Sequence, residues 1–524
     1  MARRVSAAAI ISAGRDVQKG WRLRIAVIGS GVSGIAAAKT LLGFGHQLVI
    51  YEKADRIGGV WATAYPGVTL QNIAEHYRLT DFPWPFKPQN HPTADEVRRY
   101  LAAAVGHFKL DIRLQSEVTA LAERPGGWDV TVKTPAGTTT TPYDYVLVAS
   151  GQYSGDKTAI DLPGRDAFKG QVLRDWQIED LESFRNRKLA VVGFGKTAVD
   201  IATFAVERGA QVTHIFRNAR WLLPYTLGGR DIAHIVTART STFFQPSWTH
   251  PTPREAKFHA RWARHIATYW RNTSAMLQFA TGLKRPGRSK AARERLKLVT
   301  PEGPVTIQLR GTMAPKTYYP SVASGKIEPV RGEFAGFAAE GVQLADGRVV
   351  PAEMVVLAIG NDKPSFAYLP APYRDMMTAA DDGVQLYRHL IHPRIPRLAF
   401  IGYNHGVFHL PAAELSAVWV EAVTSGDLVL PPVAEMEERS ARVAAWKRAN
   451  TNFEPQRGFT TSNHFHQYFD TLLGDLGVNP WRKKNAIAEI FSPYDAVDYA
   501  GVAGEYAAGR EKRTSLLHPL PLDT

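Results

Sequence analysis

Two glycine-rich turns, each set inside a β-α-β unit, constrain this chain more tightly than any other feature. The apolar run Arg24–Ile28 leads into Gly29-Ser30-Gly31-Val32-Ser33-Gly34, an Ala/Leu-rich helix follows, and a second strand, Gln47–Tyr51, ends at Glu52. Displaced by 164 residues the pattern recurs: Ala26-Val27-Ile28-Gly29 falls on Ala190-Val191-Val192-Gly193, Gly31 on Gly195, Gly34 on Ala198 and Gly45 on Gly209. In such a turn the first glycine permits the sharp bend and the second lets backbone approach a pyrophosphate. The third small residue lets helix and strand pack closely, and the helix N-terminus faces the phosphate charge. Two units of equal internal length predict an α/β fold with two Rossmann-like dinucleotide-binding domains.

The residues ending the second strands separate the two sites. Glu52, 23 residues after Gly29, is placed to bond ribose hydroxyls and would repel a 2′-phosphate. The matching position of the second unit is Phe216, followed by Arg217 and Arg220, which suit the 2′-phosphate of NADPH. Arginines that are merely solvated, or paired with acids, are the competing reading. Just after Glu52, Gly58-Gly59-Val60-Trp61 reads as backbone lying against a cofactor with Trp61 covering a flat ring, or as a turn before a core tryptophan.

Similar apolar strands, Tyr145–Gly151 and Met354–Gly360, look like crossings between two nested domains. The expected order is a flexible tail at 1–20, a discontinuous first domain at 21–165 and 325–450, and an inserted second domain at 166–324. A helical insert at 225–304 interrupts the second domain, and a helix-and-loop segment occupies 451–524. The chain has 524 residues and no cysteine, which excludes disulfides, thiolate metal sites and Cys-x-x-Cys redox pairs. No metal site is expected, nor any membrane span, which needs roughly 20 apolar residues. Arg3, Arg4 and Arg15 would allow a targeting segment, but the apolar run is short and contains Asp16, so a tail on a cytoplasmic protein is the expectation.

The net charge of +14 is concentrated: Arg254 to Lys297 holds twelve Lys/Arg against Glu255 and Glu294. With no recognised binding motif, nucleic acid is not an expected partner. Phe258, Trp262, Ile266, Tyr269 and Trp270 recur at helical spacing, with Arg254, Lys257, Arg261, Arg264 and Arg271 on other faces. Such a helix either packs its aromatic stripe on the second domain or lies in the interface of an anionic membrane. No Ser/His/Asp set, paired-carboxylate signature or HExxH is visible, so a redox cofactor is expected to carry the chemistry.

From about Leu23 to Tyr506, and least in the insert, the chain resembles the flavin-containing monooxygenases. The resemblance rests on Gly58-Gly-Val-Trp61, Leu70-Gln-Asn72, Thr80-Asp-Phe-Pro-Trp-Pro85, Ala149-Ser-Gly151, Pro320–Ile327, Leu344-Ala-Asp-Gly347, Val356–Gly360, Phe400-Ile-Gly402, Glu414 and Phe491-Ser-Pro-Tyr494. It implies FAD in the first site, held by Gly29, Ser30, Gly31, Val32, Ser33, Gly34, Glu52, Val60, Trp61, Gln71 and Asn72. It implies NADPH in the second, at Gly193, Gly195, Thr197, Ala198, Asp200, Arg217 and Arg220. By the same resemblance the reduced flavin takes up O2 as a C4a-hydroperoxide, and an amine nitrogen or thioether sulfur of a small substrate attacks it. Asn72, beside the flavin, is the candidate catalytic residue.

Two positions depart from the family pattern. The motif Phe-x-Gly-x-x-x-His appears as Phe168-Lys-Gly170-Gln-Val-Leu-Arg174, with arginine for histidine. Lys196-Thr197 stands where Asn-Ser is usual, and Lys196 would add a phosphate contact. A Baeyer–Villiger ketone monooxygenase, an N-hydroxylase, a decarboxylating monooxygenase, an NADPH–flavin reductase and a redox sensor are the alternatives.

Overall fold

The computed structural model describes residues 22–152, 162–244, 253–301, 312–360, 364–379, 383–404, 406–450 and 464–510. The expected tail at 1–20 lies outside these residues, as does part of the 451–524 segment. Two five-stranded parallel sheets organise the rest. The first runs Leu398–Phe400, Tyr145–Val148, Arg24–Ile28, Gln47–Tyr51, Ile112–Arg113. The second runs Ile327–Arg331, Gln211–Phe216, Lys188–Val192, Met354–Leu357, Gln171–Arg174. Each fingerprint strand is central in its sheet and buried after its first residue. Cover on both faces is why both read as continuous apolar runs rather than alternating ones.

The chain therefore leaves the first sheet after Val148, builds the second, and re-enters the first at Leu398. This corrects the assignment of 325–450 to the first domain. Ile327–Arg331 pairs with Gln211–Phe216, and Met354–Leu357 with Lys188–Val192, so both strands belong to the second sheet. All four residues of Met354–Leu357 are buried. An unbroken apolar strand shows that it is central but not to which sheet.

Helix His409–Thr424, buried almost all round, packs on the fingerprint helix Val32–Gly43. A buried carboxylate must be paired, and Glu414 is: Lys39 Nζ lies 3.0 Å away and the Thr80 amide donates to it at 2.9 Å. Lys39 also holds Asp81 at 2.5 Å. Burial raises the Glu414 pKa, and the Lys39 charge pulls it back. Glu414 and the Thr80-Asp81 run, far apart in sequence, thus form one clamp between two helices and a loop.

The insert is held at its base by Leu222–Leu223 pairing with Thr312–Met313. It contributes helices Ile232–Val236, Thr240–Phe243, Pro253–Ala280 and Lys290–Leu298. The expected single aromatic stripe on Pro253–Ala280 does not form. Trp270 and Leu277 pack inward with Leu223, Ile232 and Met313, whereas Phe258, Trp262 and Tyr269 are 39–42 % exposed. A helix turns about 100° per residue, so Tyr269 and Trp270 cannot share a face. The inner line is Ile266, Trp270 and Leu277, at spacings of four and seven. Among the described residues no helix is long and apolar enough to cross a membrane.

Candidate active site

The first cradle begins where Arg24–Ile28 ends. Gly29 has φ +105°, and a Cβ there would stand 2.6 Å from the Ala149 carbonyl oxygen. A Cβ on Gly34 would lie 2.0 Å from the Gly29 oxygen, so helix and strand meet at backbone distance. Gly31 caps the helix with no side-chain acceptor, leaving its first-turn amides open to an anion. Gly59 backs onto it: a Cβ on Gly59 would sit 3.1 Å from the Gly31 Cα. Val60, apolar yet 56 % exposed, borders this cleft.

Glu52 is buried. Its Oε2 accepts from the Ser30 amide at 2.9 Å and the Ser30 hydroxyl at 2.8 Å, and its Oε1 from the Ala54 amide at 2.9 Å. The carboxylate thus braces the turn, and since it offers about four acceptor sites, capacity for a hydroxyl remains. Ser33 and Val32 lie in the first turn of the helix. The residues present fit a dinucleotide: a side-chain-free cleft, unpaid amides and one buried acid.

The second cradle repeats the geometry with a different floor. Gly193 has φ +126° and would meet the Ala358 oxygen at 2.3 Å; Ala198, fully buried, takes the third place. Gly195 caps helix Lys196–Glu207, again without a side-chain acceptor, and a Cβ there would face open space. Phe216 is buried at the strand end, and Arg217 is exposed, 3.4 Å from Glu333. A surface ion pair of this kind contributes little, so a phosphate can displace it. The Lys196 ammonium, at the mouth of this cradle, pairs with Asp200 one helical turn on. Asp200 is buried, and the counter-charge keeps its desolvation tolerable. Burial nonetheless raises the Asp200 pKa above the ordinary carboxylate value.

The loop 58–77 joins the two cradles. Tyr65 donates to Asp200 at 2.9 Å and also bonds Thr197, and burial pushes its phenol pKa well up. Trp61 donates to the Tyr77 hydroxyl at 2.8 Å and meets its ring edge-on. Gln71 accepts from the Met313 amide at 2.8 Å, while Asn72 donates to the Val407 carbonyl at 2.5 Å. Adjacent residues therefore reach opposite walls, one at the insert base and one at the start of the His409–Thr424 helix. One hydrogen of the side-chain amide and the side-chain oxygen Oδ1 of Asn72 remain for another partner.

Several contributors escaped the sequence reading. His214 stacks on Phe194, and its Nε2 lies 2.7 Å from the Gly193 carbonyl and its Nδ1 2.9 Å from the Tyr318 hydroxyl. A carbonyl only accepts, so Nε2 carries the proton and Nδ1 accepts from Tyr318; burial lowers the His214 pKa to about 4. His91 bridges the backbone carbonyl of Asn72 at 3.0 Å to Asp231 at 2.8 Å, and Asp231 also caps Ile232–Val236. Arg174, in the place of the motif histidine, ends an edge strand beside Leu357 and donates to the Gly360 carbonyl at 2.5 Å. It fastens the chain where it leaves the second sheet. None of these pairings has a local spacing signal, since each joins residues over 100 apart or in separate elements.

A family model described as flavin-binding monooxygenase-like matches residues 22–255. "Probable flavin-containing monooxygenase 1" of Arabidopsis thaliana is 27 % identical over 521 residues, covering 91 % of this chain and 96 % of the relative. The N-oxide-forming dimethylaniline monooxygenase 4 of Mus musculus is 26 % identical, with 87 % and 79 % covered. Among solved structures, the S-allyl-L-cysteine S-oxygenase of Allium sativum superposes with a TM-score of 0.59 at 19 % identity, covering 94 % of each chain. Open cyclohexanone monooxygenase gives 0.63 at 19 %, covering 84 % of this chain and 96 % of its own. At these identities the two structures share the fold.

Proposed function

We propose that the chain, whose residues 22–255 match the flavin-binding monooxygenase-like family model, acts as a flavin-containing monooxygenase that oxygenates a soft nucleophile, an amine nitrogen or thioether sulfur of a small organic molecule, with FAD in the first cradle and NADPH in the second. The observation that carries this reading is the tie between the cradles. Tyr65, on the loop that backs Gly31, bonds Asp200 and Thr197 in the helix that starts the second cradle. Two dinucleotides bound there would converge on the loop that carries Asn72. Flavin, when bound and reduced by the nicotinamide, supplies the oxygen-activating chemistry.

The protein's own part is positioning and exclusion of water. Glu52 selects the adenosine with a free 2′-hydroxyl, and Arg217, with Arg220, selects the 2′-phosphate. Asn72, fixed through Val407 and His91, presents its remaining amide groups to the reacting oxygens. The nearest rival is Baeyer–Villiger chemistry, which an arginine beside the flavin would favour; Arg174 is committed to Gly360. Product analysis across an amine, a thioether and a cyclic ketone, with NADPH consumption followed in parallel, separates the readings. Lactone from the ketone without N- or S-oxide would reverse the order of preference.

Two substitutions test the assignments. Arg217→Ala should raise the apparent KM for NADPH about ten- to a hundredfold, the worth of a charge-assisted phosphate bond of about 1.5–3 kcal/mol. NADH should be nearly unaffected, and equal losses for both cofactors would remove Arg217 from the 2′-phosphate. Asn72→Ala should leave flavin reduction at its normal rate yet divert the electrons to hydrogen peroxide, because its hydrogen bond acts only after reduction. Slowed reduction with normal coupling would contradict that role.

A further inference from the structure

The helix Pro253–Ala280 stands out from the body with most of its surface in solvent. Its inner line, Ile266, Trp270 and Leu277, satisfies the packing it makes. What remains outside is not the polar face a solvated helix should show. Phe258, Trp262, Tyr269 and Met276 are 37–42 % exposed, and Phe279 is 60 % exposed. At about 100° per residue, Phe258, Trp262, Tyr269 and Met276 fall within an arc of about 40°, forming one straight line along the helix. Lys257, Arg261, Arg264 and Arg271 fall in a neighbouring arc of about 80°, and Phe279 points the same way as Arg261, on the border of that arc nearest the apolar line. Glu255 is the only acid between 253 and 280. Among the described residues none of these four cations has a carboxylate partner. The following turn and helix add Lys284, Arg285, Arg288, Lys290 and Arg293.

We propose that this outer face docks on an anionic lipid surface, with the Phe258–Trp262–Tyr269–Met276 line in the acyl boundary and the basic arc on the headgroups. The occupant follows from the two arcs taken together. An apolar line alone would suit a second copy of the chain, but a copy would bring the same unneutralised cations against these. A basic arc alone would suit a nucleic acid, but that would leave an exposed tryptophan, phenylalanine and methionine in water. An anionic bilayer interface buries the first and neutralises the second. The inner line meanwhile joins the helix to the Leu222–Leu223 base of the insert and to Tyr225, whose ring meets that of His91 edge-on at 4.6 Å. Docking would set the Asn72 side of the molecule toward the membrane and favour lipophilic substrates drawn from it. The docking itself does not depend on the proposed chemistry.

The test uses the full-length, flavin-loaded protein and vesicles of phosphatidylcholine alone or mixed with phosphatidylglycerol. The protein should sediment with the mixed vesicles at low ionic strength, much less at high ionic strength, and not with the neutral vesicles. Removing Arg261 and Arg264 as serines should weaken partitioning about fivefold per charge. Trp262→Ser with Phe258→Ser should abolish quenching by brominated lipid, and NADPH oxidation in solution should be unchanged in each variant. Protein left in the supernatant with anionic vesicles would overturn the proposal. So would unchanged binding of the Trp262 and Phe258 variant, or a concentration-dependent dimer that hides Trp262 without lipid. Retention on DNA with no vesicle binding would assign the face to nucleic acid instead.

Discussion

Gly31→Ala should lose bound flavin while the protein stays folded, and Gly34→Ala should lose both. The two glycines lie three residues apart in one turn but face different neighbours. Gly31 has φ −72°, which any residue adopts, and a Cβ there meets only the Gly59 Cα, at 3.7 Å, an ordinary contact. The methyl group would stand where the backbone must approach a pyrophosphate, so the expected cost falls on the cofactor. Affinity for FAD should drop about a hundredfold or more, the equivalent of about 3 kcal/mol, with the urea midpoint of the apoprotein nearly unchanged. On Gly34 the Cβ would lie 2.0 Å from a backbone oxygen, and no side chain can yield. The helix must lift off its strand, an overpacking cost of about 3 kcal/mol or more. Flavin absorbance of the purified variants and their unfolding midpoints separate the two effects. Retained flavin in Gly31→Ala would mean that the first cradle does not hold the pyrophosphate.

The second large effect is acid lability. Four buried histidines are held neutral: burial lowers His214 and His409 to about 4, and His76 and His466 to about 3. Each folded value lies below the unfolded value of about 6.5. Above pH 6.5 neither state holds the proton, and the full stability is present. As pH falls below 6.5 the unfolded chain takes up protons that the folded chain refuses, so stability is lost down to about pH 4. Each histidine costs about 1.4 kcal/mol per pH unit in that window. Between pH 8 and 5.5 the four together remove about 5 kcal/mol. The carboxyls of Asp200, Glu414 and Asp470, whose pKa values are raised, act in the opposite sense and return part of it. Urea midpoints measured across this range should fall steeply with acid. His214→Gln should flatten the slope by about one proton, or about 1.4 kcal/mol per pH unit. A flat stability profile would show that these rings titrate freely.

Parts of the site were legible because they depend on backbone geometry, which local spacing encodes. Gly29 and Gly193 need positive φ, Gly34 and Ala198 need a missing or small side chain, and an acid or an arginine must follow the second strand. Such requirements leave marks a few residues apart. The insert was legible as helical for the same reason, since a 3.6-residue period is local. Which of its faces looks inward was not: Tyr269 and Trp270, one residue apart and both aromatic, carry no local mark that sends Trp270 inward and leaves Tyr269 exposed.

What the sequence by itself determined is the pair of βαβ units with their glycine-rich turns, the contrast between Glu52 and Arg217 at the strand ends, and the motifs, such as Gly58–Trp61 and Thr80–Pro85, that carry the family resemblance. Tertiary structure alone decided that Ile327–Arg331 and Met354–Leu357 complete the second sheet, that Lys196 serves Asp200, and that Arg174 fastens Gly360. It alone placed Tyr65 on Asp200, His214 behind Gly193 and His91 on the Asn72 carbonyl. The reason is physical. A turn or a helix period is set by neighbours along the chain, whereas a buried polar group takes whatever partner the packing of distant elements brings within hydrogen-bond reach.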